Sequence, residues 1–257
     1  MVQSNTTTIL LLMAAVAVLG VAGMFYLQGQ SQEAVGQVQQ IELNTQNHGS
    51  FAAYVAGPND AKGGVLIVHD WFGISEMTLD TVSRLGELGY RTVAVDLYNG
   101  QSATNHADAF AYMNALVREE LDEKMQAGLN FLKTANRKLA TFGFSMGGIH
   151  SLRANLADPS SVSASIIFYG DTVNDATALS VLESPVLFVT GSDDNPQTGF
   201  DFSNVMTQAG KMAEIYIYPG AAHAYAQPLF NNGQNFDATA TRVSWMLAED
   251  FLARHLN

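Results

Sequence analysis

From about Ile41 onward the hydrophobic positions fall into short blocks of two alternating kinds. One kind is a compact apolar run bounded by glycine or polar residues: "GGVLIVHD", "RTVAVDLY", "KLATFGF", "ASIIFYG", "SPVLFVTG" and "AEIYIYPG". Such runs, apolar without polar alternation, predict strands covered on both faces of a parallel sheet. The other kind spaces its apolar residues helically. In "EMTLDTVSRLGELGY", Met77, Val82, Leu85 and Leu88 share a face and Gly89 supplies the stop. Helical segments are also expected between about residues 103 and 135, and in "SMGGIHSLRANLA", "FDFSNVMTQAG" and "DATATRVSWMLAEDFLARHL". Ahead of them, "QIEL" and "SFAAYVA" flank the turn-rich "NTQNHG" and predict an opening antiparallel pair. The whole reads as an α/β domain with a mostly parallel sheet flanked by helices. In such sheets chemistry collects at the carboxyl ends of the strands. The segments "HDWFG", "GFSMGG", "GSDD" and "PGAAHAY" all fall there.

The N-terminal pattern is different. Ile9 to Leu27 is a run of 19 residues without a charge. At about 1.5 Å per residue it is long enough for a hydrocarbon core of about 30 Å. Residues 1–28 are therefore expected to form a hydrophobic anchor, a transmembrane helix, with a signal cleaved near Ala22 and Gly23 as the alternative. No Lys or Arg precedes Lys62, so the basic flank that usually sets orientation is missing. The expectation is a single-pass anchor with an extracytoplasmic domain, or secretion after cleavage. Residues 29–40, rich in Gln, read as a linker, and 41–257 as the α/β domain.

Composition narrows the chemistry. The formal charge of −12 argues against nucleic acid, which needs clustered Lys and Arg. The absence of cysteine excludes disulfides, thiolate metal sites and a cysteine nucleophile. No His pair has metal-ligand spacing, and no cofactor motif stands out.

Gly143-x-Ser145-x-Gly147 matches the strand-to-helix turn that lifts a serine hydroxyl above a sheet. The bland alternative is a tight glycine turn, but β-rich "KLATF" precedes the motif and a helical pattern follows. A serine needs a base, and the base an orienting acid, in the chain order Ser, acid, His. His223, in a Pro-Gly loop after a strand, is the base this order selects. His255 reads as a solvated terminal residue, and His48, His69, His106 and His150 as structural. On the loop after "VLFVTG", Asp193 and Asp194 both qualify as the acid. Backbone N–H groups of Met146 and Trp71 are the expected oxyanion donors.

Together "VLIVHDWFGISEMTLDTVSRLGELGYRTVAVDLYNG", "GFSMGG", "GSDD" and "YPGAAHAY" resemble the dienelactone hydrolase family of α/β-hydrolases. The resemblance covers about Ile41 to the C-terminus and implies the α/β-hydrolase fold. It places the acid on the fourth residue of Gly-x-x-Asp, hence Asp194, and aligns His69-Asp70-Trp71-Phe72-Gly73 with the family's oxyanion loop. Asp70, Phe72 and Tyr98 are then candidate pocket residues. Two departures matter. The lactone-cleaving members carry cysteine and glutamate where this chain has Ser145 and Asp70. The arginines that bind the lactone carboxylate fall on Gly100 and Gln227. The resemblance thus implies a serine hydrolase that cleaves small neutral esters or lactones through an acyl-enzyme, without a cofactor, and the N-terminal run adds a membrane anchor to it. The rival is a non-catalytic, membrane-tethered scaffold or binding subunit that keeps the fold.

Overall fold

The computed structural model describes residues 36–133, 137–228 and 230–257. The run at Ile9–Leu27, and with it the expected anchor or signal, lies outside the described residues. Among the described residues no helix is long and apolar enough to cross a membrane.

The strands are β1 (Gln39–Asn44), β2 (Ser50–Ala56), β3 (Gly63–Val68), β4 (Arg91–Val95), β5 (Lys138–Phe144), β6 (Val162–Phe168), β7 (Val186–Gly191) and β8 (Ala213–Tyr218). They form one sheet in the order β1-β2-β4-β3-β5-β6-β7-β8. β2 is antiparallel to both β1 and β4, and every other neighbouring pair is parallel. The expected opening hairpin is present. Its first strand starts ahead of residue 41, because Gln39 and Gln40 already pair with Val55 and Tyr54.

Seven α-helices accompany the sheet among the described residues: α1 (Glu76–Glu87), α2 (His106–Asn114), α3 (Arg118–Leu132), α4 (Met146–Ala157), α5 (Ala176–Leu179), α6 (Pro196–Gln208) and α7 (Ala238–Leu256). α1 begins where the Ser75 side chain accepts from Thr78 N and ends before Gly89, whose φ is +90°.

All six residues of β3 are buried. The reason is the two-residue period of a strand with both faces covered. Val65 and Ile67 pack with Val82 and Leu85 of α1 and with Phe251 and Leu252 of α7. Leu66 and Val68 pack with Leu121, Met125 and Leu129 of α3. On the same side as α3, Ile167 and Phe188 meet Phe202 and Met206 of α6. Each such side chain contributes about 1.5–3 kcal/mol on burial, and the polar residues buried among them are hydrogen-bonded, as Thr141 is with Ser165 and Thr92 with Val82 O. His255 departs from its expected solvation. Its ring lies edge-on to Phe251 at 4.6 Å, because the last turn of α7 packs on the core.

Beneath the carboxyl end of β5, Phe142 and Phe144 stack at 4.7 Å, and Phe142 meets Phe168 at 4.9 Å and Trp245 at 5.5 Å. This aromatic block is the floor of the region where the loops after β3, β5, β6, β7 and β8 converge.

Candidate active site

Ser145 has φ +50° and ψ −119°, a conformation that costs a non-glycine residue on the order of 1–3 kcal/mol. Its surroundings hold it there. The Ser145 N–H donates to Phe168 O at 2.9 Å, and its carbonyl accepts from Gly148 N at 2.9 Å. Gly143 and Gly147 are required by contact. A Cβ on Gly143 would overlap the Gly147 carbonyl, and one on Gly147 would overlap the carbonyls of Val68 and His69. With both absent, α4 starts against the end of β3 and the Ser145 hydroxyl stands clear of the sheet.

Ser145 Oγ lies 2.9 Å from His223 Nε2, and His223 Nδ1 lies 2.9 Å from Asp194 Oδ2. An ionised carboxylate only accepts, so Nδ1–H donates to Asp194 and Nε2 is left to accept from the serine hydroxyl. The loops carrying acid and histidine are stapled together. Ser192 N donates to Tyr218 O, Asp193 N to Ala221 O and Gly220 N to Ser192 Oγ, at 2.8, 3.0 and 2.8 Å. Asn235 Nδ2 holds the His223 carbonyl at 2.8 Å. Of the two aspartates, Asp194 faces the imidazole, while Asp193 is exposed and accepts from Ser192 Oγ at 2.9 Å.

Met146 is the first residue of α4, so its N–H is one of the helix's unpaired donors. Trp71 belongs to the loop after β3, braced from several sides. Tyr98 Oη donates to Trp71 O at 3.1 Å, Phe72 N donates to Asp70 Oδ1 at 2.8 Å, and Leu97 N donates to His69 Nε2 at 3.2 Å. Among the described residues no hydrogen bond engages Trp71 N.

The three expected pocket residues are placed otherwise. A cleft of about 850 Å³ contains Ser145, His223, Asp194, Met146 and Trp71, but not Asp70, Phe72 or Tyr98. Tyr98 is buried with its hydroxyl drawn to the Trp71 carbonyl, behind the cleft wall. Phe72 lines a neighbouring cavity of about 870 Å³. Asp70 is buried beneath its own loop, where Gln227 Nε2 donates to Oδ2 at 2.9 Å. Other residues that the sequence pattern did not single out line the cleft. His106 stacks on Phe230 at 5.7 Å and meets the Trp71 ring at 5.3 Å. His150, Arg153 and Arg118 form a further part of the wall. No arginine stands at Gly100 or Gln227, but α3 and α4 bring Arg118 and Arg153 to the cleft, which Asp171 and Asp194 also line. Among the described residues no group of three or more His, Cys, Asp or Glu could hold a metal ion.

Burial pushes the Asp70 carboxyl up to about 6 from its usual 3.8, against the opposing pull of Phe72 N–H, Gln227 and His223. The folded state therefore binds a proton that the unfolded state has lost, and this site's contribution to stability falls as pH rises from about 4 to 6. Asp70→Asn removes the charge and keeps an acceptor for Phe72 N. With the Gln227 amide turned over, the Asn Nδ2 can donate to Gln227 Oε1 in place of the present Nε2 to Oδ2 bond. Thermal melts should show Asp70→Asn more stable than wild type at pH 8, by up to about 3 kcal/mol, with a flatter profile between pH 4 and 6. A lower Tm at pH 8 would show that the carboxylate is a net stabiliser.

Comparison with known proteins agrees with this architecture. A putative carboxymethylenebutenolidase of Aquifex aeolicus is 26% identical over 236 residues, covering 86% of this chain and 100% of the relative. In fold the chain is similar to a dienelactone hydrolase-like promiscuous phosphotriesterase from metagenomic libraries, with TM-score 0.75 and 19% identity over 86% of this chain and 99% of the other. It is likewise similar to a putative dienelactone hydrolase from Klebsiella pneumoniae, with TM-score 0.72 and 21% identity over 85% and 100% of the two chains. The model of the dienelactone hydrolase family matches residues 51–256, the span that carries Ser145, Asp194 and His223, and the chain belongs to that family.

Proposed function

We propose that the protein is a serine hydrolase of esters or lactones that works through an acyl-enzyme. Family membership supports the reaction class. The observation that carries the mechanism is the continuous hydrogen-bonded series Ser145 Oγ, His223 and Asp194, with both links at 2.9 Å. In this reading Ser145 attacks the carbonyl carbon and His223 Nε2 takes its proton, while Asp194 holds the imidazole tautomer and stabilises the imidazolium. The oxyanion is received by the N–H groups of Met146 and Trp71, at a helix start and in a braced loop, so little reorganisation is needed as charge develops. His223 then protonates the leaving alkoxide, and a water activated by the same histidine releases the acid. Asp70, tied to Phe72 N and Gln227, supports the loop and takes no proton from the substrate.

We further propose that residues 9–27 anchor the chain in a membrane. The support is the uncharged length of that segment.

A fluorophosphonate probe should label Ser145 and no other serine, because only an activated hydroxyl beside oxyanion donors reacts quickly. Labelling that persists in Ser145→Ala would remove the assignment. A folded wild-type protein that resists the probe would favour the scaffold reading.

Asp194→Asn should lower kcat on the order of 10³–10⁴-fold, as the imidazole loses its orienting acceptor. Asp193→Asn should keep most activity. Reversed effects would assign the acid to the neighbouring residue.

For the anchor, the full-length chain should remain with membranes through high-salt and carbonate washes, since hydrocarbon burial is not screened by salt. Recovery of a soluble chain starting after about residue 23 would identify a cleaved signal instead.

A further inference from the structure

One end of the cleft is charged, and the Ser145 chemistry does not use it. α4 turns Met146, Ile149, His150 and Arg153 toward the cleft, the i, i+3, i+4, i+7 stripe of a single helix face. At about 1.5 Å of rise per residue, Arg153 stands roughly 10–12 Å along the axis from Ser145. Arg118, the first residue of the neighbouring α3, lines the same cleft close enough for its charge to act on Arg153. The wall also carries apolar Ile149, Met113 and Leu116.

The charges at this end are not balanced. Arg118 Nε donates to Asp122 at 2.7 Å. Among the described residues no carboxylate lies within ion-pair distance of Arg153. Burial and then the Arg118 charge push the Arg153 guanidinium below its usual range, with Asp122 pulling it back. Burial, followed by the charges of Arg153 and Arg118, pushes His150 down to about 4, so the imidazole is neutral near pH 7. Asp171 and Asp194 also line the cleft, but the charges that act on Arg153 are those of Arg118 and Asp122; with Arg153 itself they leave a single positive charge there, which matches one carboxylate better than a phosphate carrying close to two negative charges. Arginine's fork of donors suits a carboxylate in two-point contact.

We infer that the cleft accepts esters with an aliphatic chain that ends in a carboxylate, the reacting carbonyl lying at Ser145 and the carboxylate on Arg153 and Arg118. This deepens the hydrolase reading and rests on it for turnover, though the anion subsite can be measured by binding alone. It also places the charged group at the far end of a methylene chain, away from the reacting carbonyl.

The test compares two p-nitrophenyl esters on the full-length protein: the half-ester of suberic acid, with a free terminal carboxylate, and the same compound capped as its methyl ester. Wild type should prefer the half-ester by about tenfold or more in kcat/KM, mostly through KM, the size expected of a charge-assisted hydrogen bond. Arg153→Gln should bring the preference to within about twofold, Arg153→Lys should recover part of it, and Arg242→Gln, outside the cleft, should retain it. In parallel, calorimetry should detect suberate binding to wild type and its loss in Arg153→Gln. Hydrolysis of both esters without preference, or a preference that survives Arg153→Gln, overturns the subsite and leaves the hydrolase reading standing. Absence of hydrolysis together with Arg153-dependent suberate binding supports the subsite and removes the hydrolase reading. Neither hydrolysis nor binding overturns both.

Discussion

The site depends on one close approach, where the backbone at the start of α4 meets the end of β3. Ser145 sits in a backbone conformation that a serine avoids, and it stays there because its N–H is taken by Phe168 and because Gly143, Gly147 and Gly170 around it have no Cβ. Gly147 admits the carbonyls of Val68 and His69, and Gly143 admits the carbonyl of Gly147. Gly170 has the same duty on the other side, since a Cβ there would overlap the Ser145 carbonyl. An added methyl at any of these positions would meet backbone, which cannot swing aside as a side-chain tip can. The strain at Ser145 is thus offset by contacts across three strands. The same approach sets the first turn of α4 beside the loop that carries Trp71.

This explains which parts were legible in the sequence. The central strands were readable because burial on both faces writes itself locally as an unbroken apolar run, as in "GGVLIV", with all six residues buried. The Ser145 turn was readable because its glycines are adjacent in the chain. The choice between Asp193 and Asp194 was not open to the same reasoning. It is made by staples between two loops, Asp193 N to Ala221 O and Gly220 N to Ser192 Oγ, which join residues 28 apart. The resemblance to a family selected Asp194, and the 2.9 Å contact with His223 gives the physical reason.

The residues missed share a different cause. His106, His150, Arg118 and Arg153 lie on helices, and a helix turns a side chain toward a cleft or toward water according to its rotation on the sheet. That rotation is set by packing, not by residue type. Tyr98 erred the other way. The family resemblance suggested a pocket residue, yet its hydroxyl finds an acceptor in the Trp71 carbonyl and the ring is drawn behind the wall. Asp70 is likewise committed to neighbours, with one oxygen on Phe72 N and the other on Gln227. These two side chains hold the loop after β3 in place before any substrate arrives. Preorganised donors require that rigidity, because a loop that had to order itself during reaction would lose much of the gain.

Net charge and local charge are separate properties of this molecule. The net −12 belongs to the chain as a whole. The charge total sums surface groups spread over the whole domain, and at physiological salt their fields decay over about 8 Å. Inside the cleft the relevant distances are shorter, and part of the surrounding water is replaced by Ile149, Leu116 and Met113. Arg118, Arg153, Asp171 and Asp194 all line the cleft, so the local field follows their placement rather than the total. Arg118 is tied to Asp122, whereas Arg153 is held near a like charge without a carboxylate at ion-pair distance among the described residues. Arg118 is exposed, which screens its repulsion of Arg153, and an anion beside Arg153 would offset the remainder. The residual local charge, rather than the global one, is what a bound substrate meets.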